Sequence, residues 1–416
     1  MPPESAPIYP RHARPLVIEA LADTRIVLVM GARQVGKSTL TAEIAANDHP
    51  SQTFTLDDKT TRDAAIRDPT AFVAGLPGSV LIDEVQRAPD LLLAIKEAVD
   101  RDGRPGRFLL TGSANILTAP KIYEALTGRI EIIELWPLSQ AEIEHSTANF
   151  VDALFAGDPP RVADAPIGRE AFVERAAGGG YPEARLRVGT RRDRWFSSYL
   201  RAVFERDLRD IADIHKLEEL PRLLRRLASQ AANIYNSNAV ANSLGIDHKT
   251  IQAYTRVLET VFLVRRMPAW RPGLGAREIH SPKVYVTDTA LLAHLLGANE
   301  QRIATDPQVT GKVLENFVAM EIAKLAAWAA TDSRQYHYRN DRDEIDIVLE
   351  SRAGDLAAIE VKAAATVDAR DFRALAKLRD RRGDSFRAGA VVYTGAQTIA
   401  LSDRIWAIPV SGLWAS

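Results

Sequence analysis

Residues 25–38 read RIVLVMGARQVGKS. Arg25 to Met30 form an apolar, β-branched run of the kind that makes a buried parallel strand. The run stops at Gly31, and GARQVGKS then fits G-x-x-x-x-G-K-[ST] in the context that gives this pattern meaning, a strand before it and a helix opening near Lys37. The spacing has a physical reason. Gly31 and Gly36 let the backbone N–H groups of Ala32, Arg33, Gln34 and Val35 curl around phosphates, and the helix N-terminus adds its dipole. Lys37 meets the β- and γ-phosphates, Ser38 ligates Mg2+, and Thr39 belongs to the same phosphate-facing turn. ATP and Mg2+ are therefore the expected cofactors.

Further along, VLIDE (residues 80–84) predicts a second buried strand that ends in two acids. Asp83 is placed to reach Mg2+ and Glu84 to polarise an attacking water; the plainer alternative is that they cap the next helix. RFLLTGS (107–113) predicts a third strand, with Thr111 and Ser113 as candidate γ-phosphate sensors or as hydroxyls that satisfy a strand end. Arg129, in ALTGRIEII, is a candidate arginine finger for a neighbouring subunit, against the ordinary reading of a solvated arginine. Strands alternating with helical stretches such as Pro89 to Val99 make this part α/β.

At 416 residues the chain exceeds what one core serves, so two or three domains are expected. With 46% hydrophobic and 26% charged residues it reads as neither disordered nor membranous. Its apolar runs are too short to span a bilayer, and MPPESAPIYPRHARP lacks the apolar core of a secretory signal. The absence of cysteine excludes disulfides, thiolate catalysis and thiolate metal sites. These readings place the protein in the cytoplasm, with no membrane partner. The net charge of −1 is uneven: Arg185 to Glu278 holds 18 Lys and Arg against 10 Asp and Glu, a local +8 that leaves about −9 for the rest.

The basic region contains NAVANSLGIDHKTIQAYTRVLETVFLVRR (238–266), a short helix, a turn at Gly245 and a second helix with His248, Lys249, Gln252 and Arg256 outward. Val240, Leu244, Ile246, Ile251, Tyr254 and Leu258 supply the core of a helix-turn-helix. Phe262 to Arg266 and Lys283 to Val286 supply the strands of a wing. Such a module docks in a DNA major groove, or serves as a lid or protein contact.

Beyond a helix at Glu315 to Trp328, strands are expected at Gln335 to Tyr338, Ile345 to Glu350, Ala357 to Lys362 and Ala388 to Tyr393. Asp346 lies on one of them, and Glu360 and Lys362 share a face of the next because residues two apart do so in a strand. Side by side they form two carboxylates and an ammonium, a set that binds Mg2+ and activates water for phosphodiester hydrolysis. Alternation alone also describes any half-buried strand, and Glu360 with Lys362 also fits a surface ion pair.

GARQVGKST, LIDEVQRAP, LLTGSAN, LTGRI and GGYPE (179–183) together resemble bacterial and archaeal AAA+ ATPases with a C-terminal domain of unknown function. That resemblance implies a sensor at Ser113 and a homo-oligomer, of which a hexameric ring is one form. The C-terminal pattern resembles the PD-(D/E)xK nuclease superfamily, with Glu315 matching the extra acid of its resolvase-like members, although Ile345 stands where a proline is usual. The resulting architecture is a P-loop AAA+ core (1–156), a helical lid and connector (157–230), a winged-helix-like domain (231–300) and a nuclease-like α/β domain (301–416). Two functions fit it. One is an ATPase that remodels or translocates DNA and binds or cuts it through the C-terminal domain; the other is an ATP-controlled switch or scaffold whose later domains hold proteins.

Overall fold

The apolar run after Arg25 becomes the centre of a parallel sheet. The computed structural model describes residues 8–112, 126–162, 169–208, 217–271, 281–340 and 342–415. Strand β1 (Ile26–Gly31) is buried along its whole length and pairs in parallel with β4 (Phe108–Gly112) and β5 (Ile130–Leu135). Beyond β4 lie β3 (Val80–Asp83) and the edge strand β2 (Gln52–Thr55), giving the order β2-β3-β4-β1-β5. Helices Lys37–Asn47 and Leu91–Arg101 make two of the crossovers. Because all five strands run the same way, the residues after β1, β3 and β4 collect at one rim, where an open α/β sheet binds its ligand.

The basic region folds as helix Leu220–Ser229, β6 (Asn233–Ile234), helices Ser237–Leu244 and His248–Thr260, then β7 (Val264–Met267) and β8 (Lys283–Val286). The strands form an antiparallel sheet in the order β6-β8-β7. The turn between the two helices is built from its sequence: Gly245 takes φ +68° at the first C-terminus, and the Asp247 carboxylate accepts from Lys249 N and Thr250 N at the second N-terminus. Val240, Ile251, Tyr254 and Leu258 are buried as expected, while Leu244 and Ile246 are only half-buried.

The C-terminal region opens with helix Pro307–Ala326, eight residues earlier than its apolar pattern suggested, because Asp306 caps it and Pro307 fits its first turn. Strands β9 (Ser333–Arg339), β10 (Glu344–Ser351) and β11 (Leu356–Lys362) follow, then helix Arg373–Arg382, β12 (Phe386–Tyr393), β13 (Ile399–Ser402) and β14 (Ile405–Pro409). They build one mixed sheet, β13-β14-β12-β11-β10-β9. This region is fastened to the first sheet: Lys324 Nζ donates to Leu138 O (3.0 Å), and Gln140 N donates to Glu321 Oε2 (2.7 Å). Among the described residues no helix is long and apolar enough to cross a membrane.

Candidate functional site

The loop after β1 is shaped before any ligand arrives. Gly36 sits at φ +97°, and a Cβ on Gly31 would stand 2.2 Å from Leu135 O, so both positions require glycine. Gln34 and Glu84 are non-glycine residues held at φ +59° and +60°, conformations that cost about 1–3 kcal/mol and concentrate at functional sites. Lys37 is buried, with Nζ 2.9 Å from Ala32 O and 3.2 Å from Gly31 O. Ser38 Oγ donates to Asp83 Oδ1 (2.9 Å), which brings the expected metal-binding hydroxyl and carboxylate together across the rim. Buried Thr111 positions both acids: its Oγ1 donates to Asp83 and accepts from Glu84 N (3.0 Å). Gln86 donates to the Glu84 carboxylate. Ser113 lies outside the described residues.

Above this loop lies a cavity of about 700 Å³, ample for a nucleotide. Its far wall carries Tyr9, Trp195, Tyr199 and Arg206, none of which the motifs point to, together with Pro182 of GGYPE. Trp195 and Tyr199 stack at 5.2 Å and 8°, a flat apolar surface suited to a nucleobase. Arg11 ties the loop to the rest of the domain: its guanidinium donates to Val35 O (2.6 Å), Trp136 O (2.7 Å) and Glu142 Oε1 (2.9 Å). Burial opposes the charge of Glu142, but Arg11 and the amides of Ser139 and His12 hold its carboxyl below the usual range. The residues fit Mg-ATP: Ser38 and Asp83 would hold the metal, which would screen phosphate charge, and Glu84, the next residue after Asp83, would orient water.

A family model described as AAA domain matches residues 23–144. Two others, described as domains of unknown function (DUF8612 and DUF4143), match residues 169–302 and 310–413. Uncharacterized protein Rv2008c of Mycobacterium tuberculosis and uncharacterized protein Mb2031c of Mycobacterium bovis are each 30% identical over 403 residues, covering 96% of this chain and 83% of theirs. The chain belongs to the family of these mycobacterial proteins. Its N-terminal domain is an ATPase domain of the AAA, P-loop type. Among solved structures, the Walker-type ATPase PABY2304 of Pyrococcus abyssi is 16% identical, covering 70% of this chain and 96% of its own, with a TM-score of 0.43.

Arg129 of this AAA domain precedes β5, and its carbonyl accepts from Ile26 N at the start of β1. It therefore sits at the rim opposite the phosphate loop of its own chain. Its guanidinium grips Asp100 (2.6 and 3.2 Å), and this pair pulls the Asp100 carboxyl down to about 2. On helix His248–Thr260, Lys249 and Arg256 are exposed and Gln252 is half-buried. His248 departs from its expected outward placement: it is half-buried, with Nε2 2.7 Å from Ser237 Oγ.

In the C-terminal domain, β10 and β11 are neighbours, as expected, and Asp346 Oδ2 accepts from Val361 N (3.0 Å). The cation beside Asp346 is an unexpected one. Lys283, the first residue of β8, buries its ammonium 2.8 Å from Glu315 Oε1, 2.9 Å from Asp346 Oδ1 and 3.1 Å from Glu344 Oε1. Tyr285, two residues on and so on the same face, donates to Glu315 (3.1 Å). Lys362 pairs instead with Asp371 (2.9 Å). Burial, then the Asp346 charge, pushes Glu315 up to about 8 and Glu360 up to about 9. Glu360 Oε2 is buried without a hydrogen-bond partner among the described residues. The structure thus gathers Glu315, Asp346 and Glu360 but does not fit them to the expected Mg2+: among the described residues no three acidic or histidine side chains are disposed to hold a metal.

Proposed function

We propose that the chain is an AAA-type ATPase that spends ATP on remodelling or translocating DNA, with branched or junction DNA among its candidate substrates. The observation that carries this reading is the arrangement of the basic region. Three helices and the sheet β6-β8-β7 follow one another in a winged-helix-like order. The helix after the Gly245 turn presents Lys249 and Arg256 outward, with Gln252 half-buried beside them, within the segment of local charge +8. Phosphate contacts from such a surface give affinity for duplex DNA, and the same helix reads base edges. The nuclease-like C-terminal domain, whose Asp346 holds Lys283 while Lys362 turns to Asp371, then supplies a second DNA-binding surface.

Arg129 acts in a homo-oligomer, a hexameric ring being one form, where it leaves Asp100 and reaches the nucleotide of the adjacent subunit. ATP with Mg2+ is the cofactor set.

The test is phosphate release with no DNA and with single-stranded, duplex or four-way-junction DNA. Stimulation of at least about tenfold by one of them is expected, and Lys37→Ala abolishes it together with basal turnover. Equal turnover under all four conditions would contradict the DNA reading and leave the ATP-controlled switch.

A further inference from the structure

Lys283 belongs to the small sheet of the basic region, yet its side chain ends in the acidic site of the C-terminal domain. An ammonium has three donors and no acceptor; here it donates to Glu315 (2.8 Å) and Asp346 (2.9 Å) and lies 3.1 Å from the Glu344 carboxylate as an ion pair. These come from helix Pro307–Ala326 and strand β10, elements that the sequence places well after β8. The side chain of Lys283 is 2% exposed, so its charge is almost fully withdrawn from water. An unpaired charge there would cost several kcal/mol, and the cluster supplies the compensation. A divalent cation bridging Asp346 and Glu315 would need the position this ammonium holds. Two cations cannot share it, since like charges at such separations repel strongly in a buried site. Lys362, the lysine expected to serve the chemistry, is turned to Asp371.

We propose that the Lys283 ammonium is the resident cation of the C-terminal acidic site, standing where a divalent metal would stand, so that the domain as folded holds DNA without cutting it. Only the word DNA rests on the function proposed above; occupancy of the site by lysine is independent of it, and the test contains no DNA. The carboxylates of Glu315 and Asp346 close on an ammonium that β8, packed against helix Pro307–Ala326, supplies from within the chain. Removing the ammonium leaves Asp346 and Glu315 without the cation they share, a loss that a divalent ion would make good.

The experiment is calorimetric titration of the intact, nucleotide-free chain with MnCl2, for wild type, Asp346→Asn, Lys283→Met and the double variant. Wild type and Asp346→Asn are expected to give the same isotherm. Lys283→Met is expected to bind one Mn2+ per chain at least about tenfold more tightly than wild type, and the double variant to lose that binding. A wild-type Mn2+ site that Asp346→Asn removes would overturn the proposal, as would a folded Lys283→Met protein that binds no Mn2+. If Lys283→Met fails to fold, the comparison of wild type with Asp346→Asn decides alone.

Discussion

Among the described residues two constellations join acids with a lysine, and they are finished in opposite ways. In the AAA domain, Lys37, Ser38, Asp83 and Glu84 border an open cavity of about 700 Å³, and Lys37 leans on the carbonyls of its own loop. A carbonyl carries far less charge than a phosphate, so phosphate is the stronger partner for this ammonium. In the C-terminal domain, Lys283 already has three carboxylates within 3.1 Å and a side chain 2% exposed. The same residue types thus make a site that awaits a ligand in one place and a site that is satisfied in the other. What separates them is where the lysine comes from: a loop made for phosphate, or a strand of another domain.

The largest effect that would sharpen this contrast is expected at Glu84. Glu84→Gln should retain ATP, measured by fluorescent-nucleotide binding, while phosphate release falls by about 10²–10⁴-fold; wild-type turnover would show that another group orients the water. Next is the stability of the closed site. Lys283→Met leaves buried carboxylates unpaired and should cost about 3–5 kcal/mol in urea unfolding, whereas Lys37→Met, at the open site, should cost far less. A loss at Lys283 no greater than at Lys37 would erase the contrast.

A third expectation concerns pH. Burial, then the nearby Lys283 charge, lowers His337 to about 4, below its ordinary 6.5. The folded chain keeps this imidazole neutral while the unfolded chain protonates it, so its contribution is complete above pH 6.5 and is lost as pH falls from 6.5 towards 4. The loss has an upper bound of about 3 kcal/mol, and His337→Gln should flatten that part of the stability curve; an unchanged curve would remove His337 from the account. The smallest effect is expected at the nucleobase wall, where Trp195→Ala should weaken ATP by about 1–3 kcal/mol of stacking, read as a rise in Kd. Unaltered affinity would move the base elsewhere in the cavity.

Much of the open site was legible because its residues lie on short, local patterns. The strand RIVLVM, the glycines that follow and VLID all form where their periodicity put them. Arg11 left no such trace: its role comes from contacts with residues 24 and 125 positions away. Trp195 and Tyr199 lie four residues apart on one face of helix Thr190–Ala202, where apolar spacing signals packing before it signals a ligand. The basic helices were readable from their caps and turn, apart from His248, whose bond to Ser237 draws it inward. The acidic cluster was half legible. Strand parity points to Glu360 with Lys362 on one face and the resemblance adds Glu315, but the cation beside Asp346 is Lys283 of a different sheet. The available signal was KVYV itself, a strand buried at all four positions that nonetheless begins with lysine. A lysine placed so deep demands a charged partner, and that partner lay beyond the reach of any local pattern.

The most direct test of the contrast is a count of Mn2+ bound per wild-type chain by electron paramagnetic resonance, with and without a non-hydrolysable ATP analogue. One tightly bound ion is expected only when nucleotide is present, unaffected by Asp346→Asn. An ion bound without nucleotide and lost in Asp346→Asn would contradict the account.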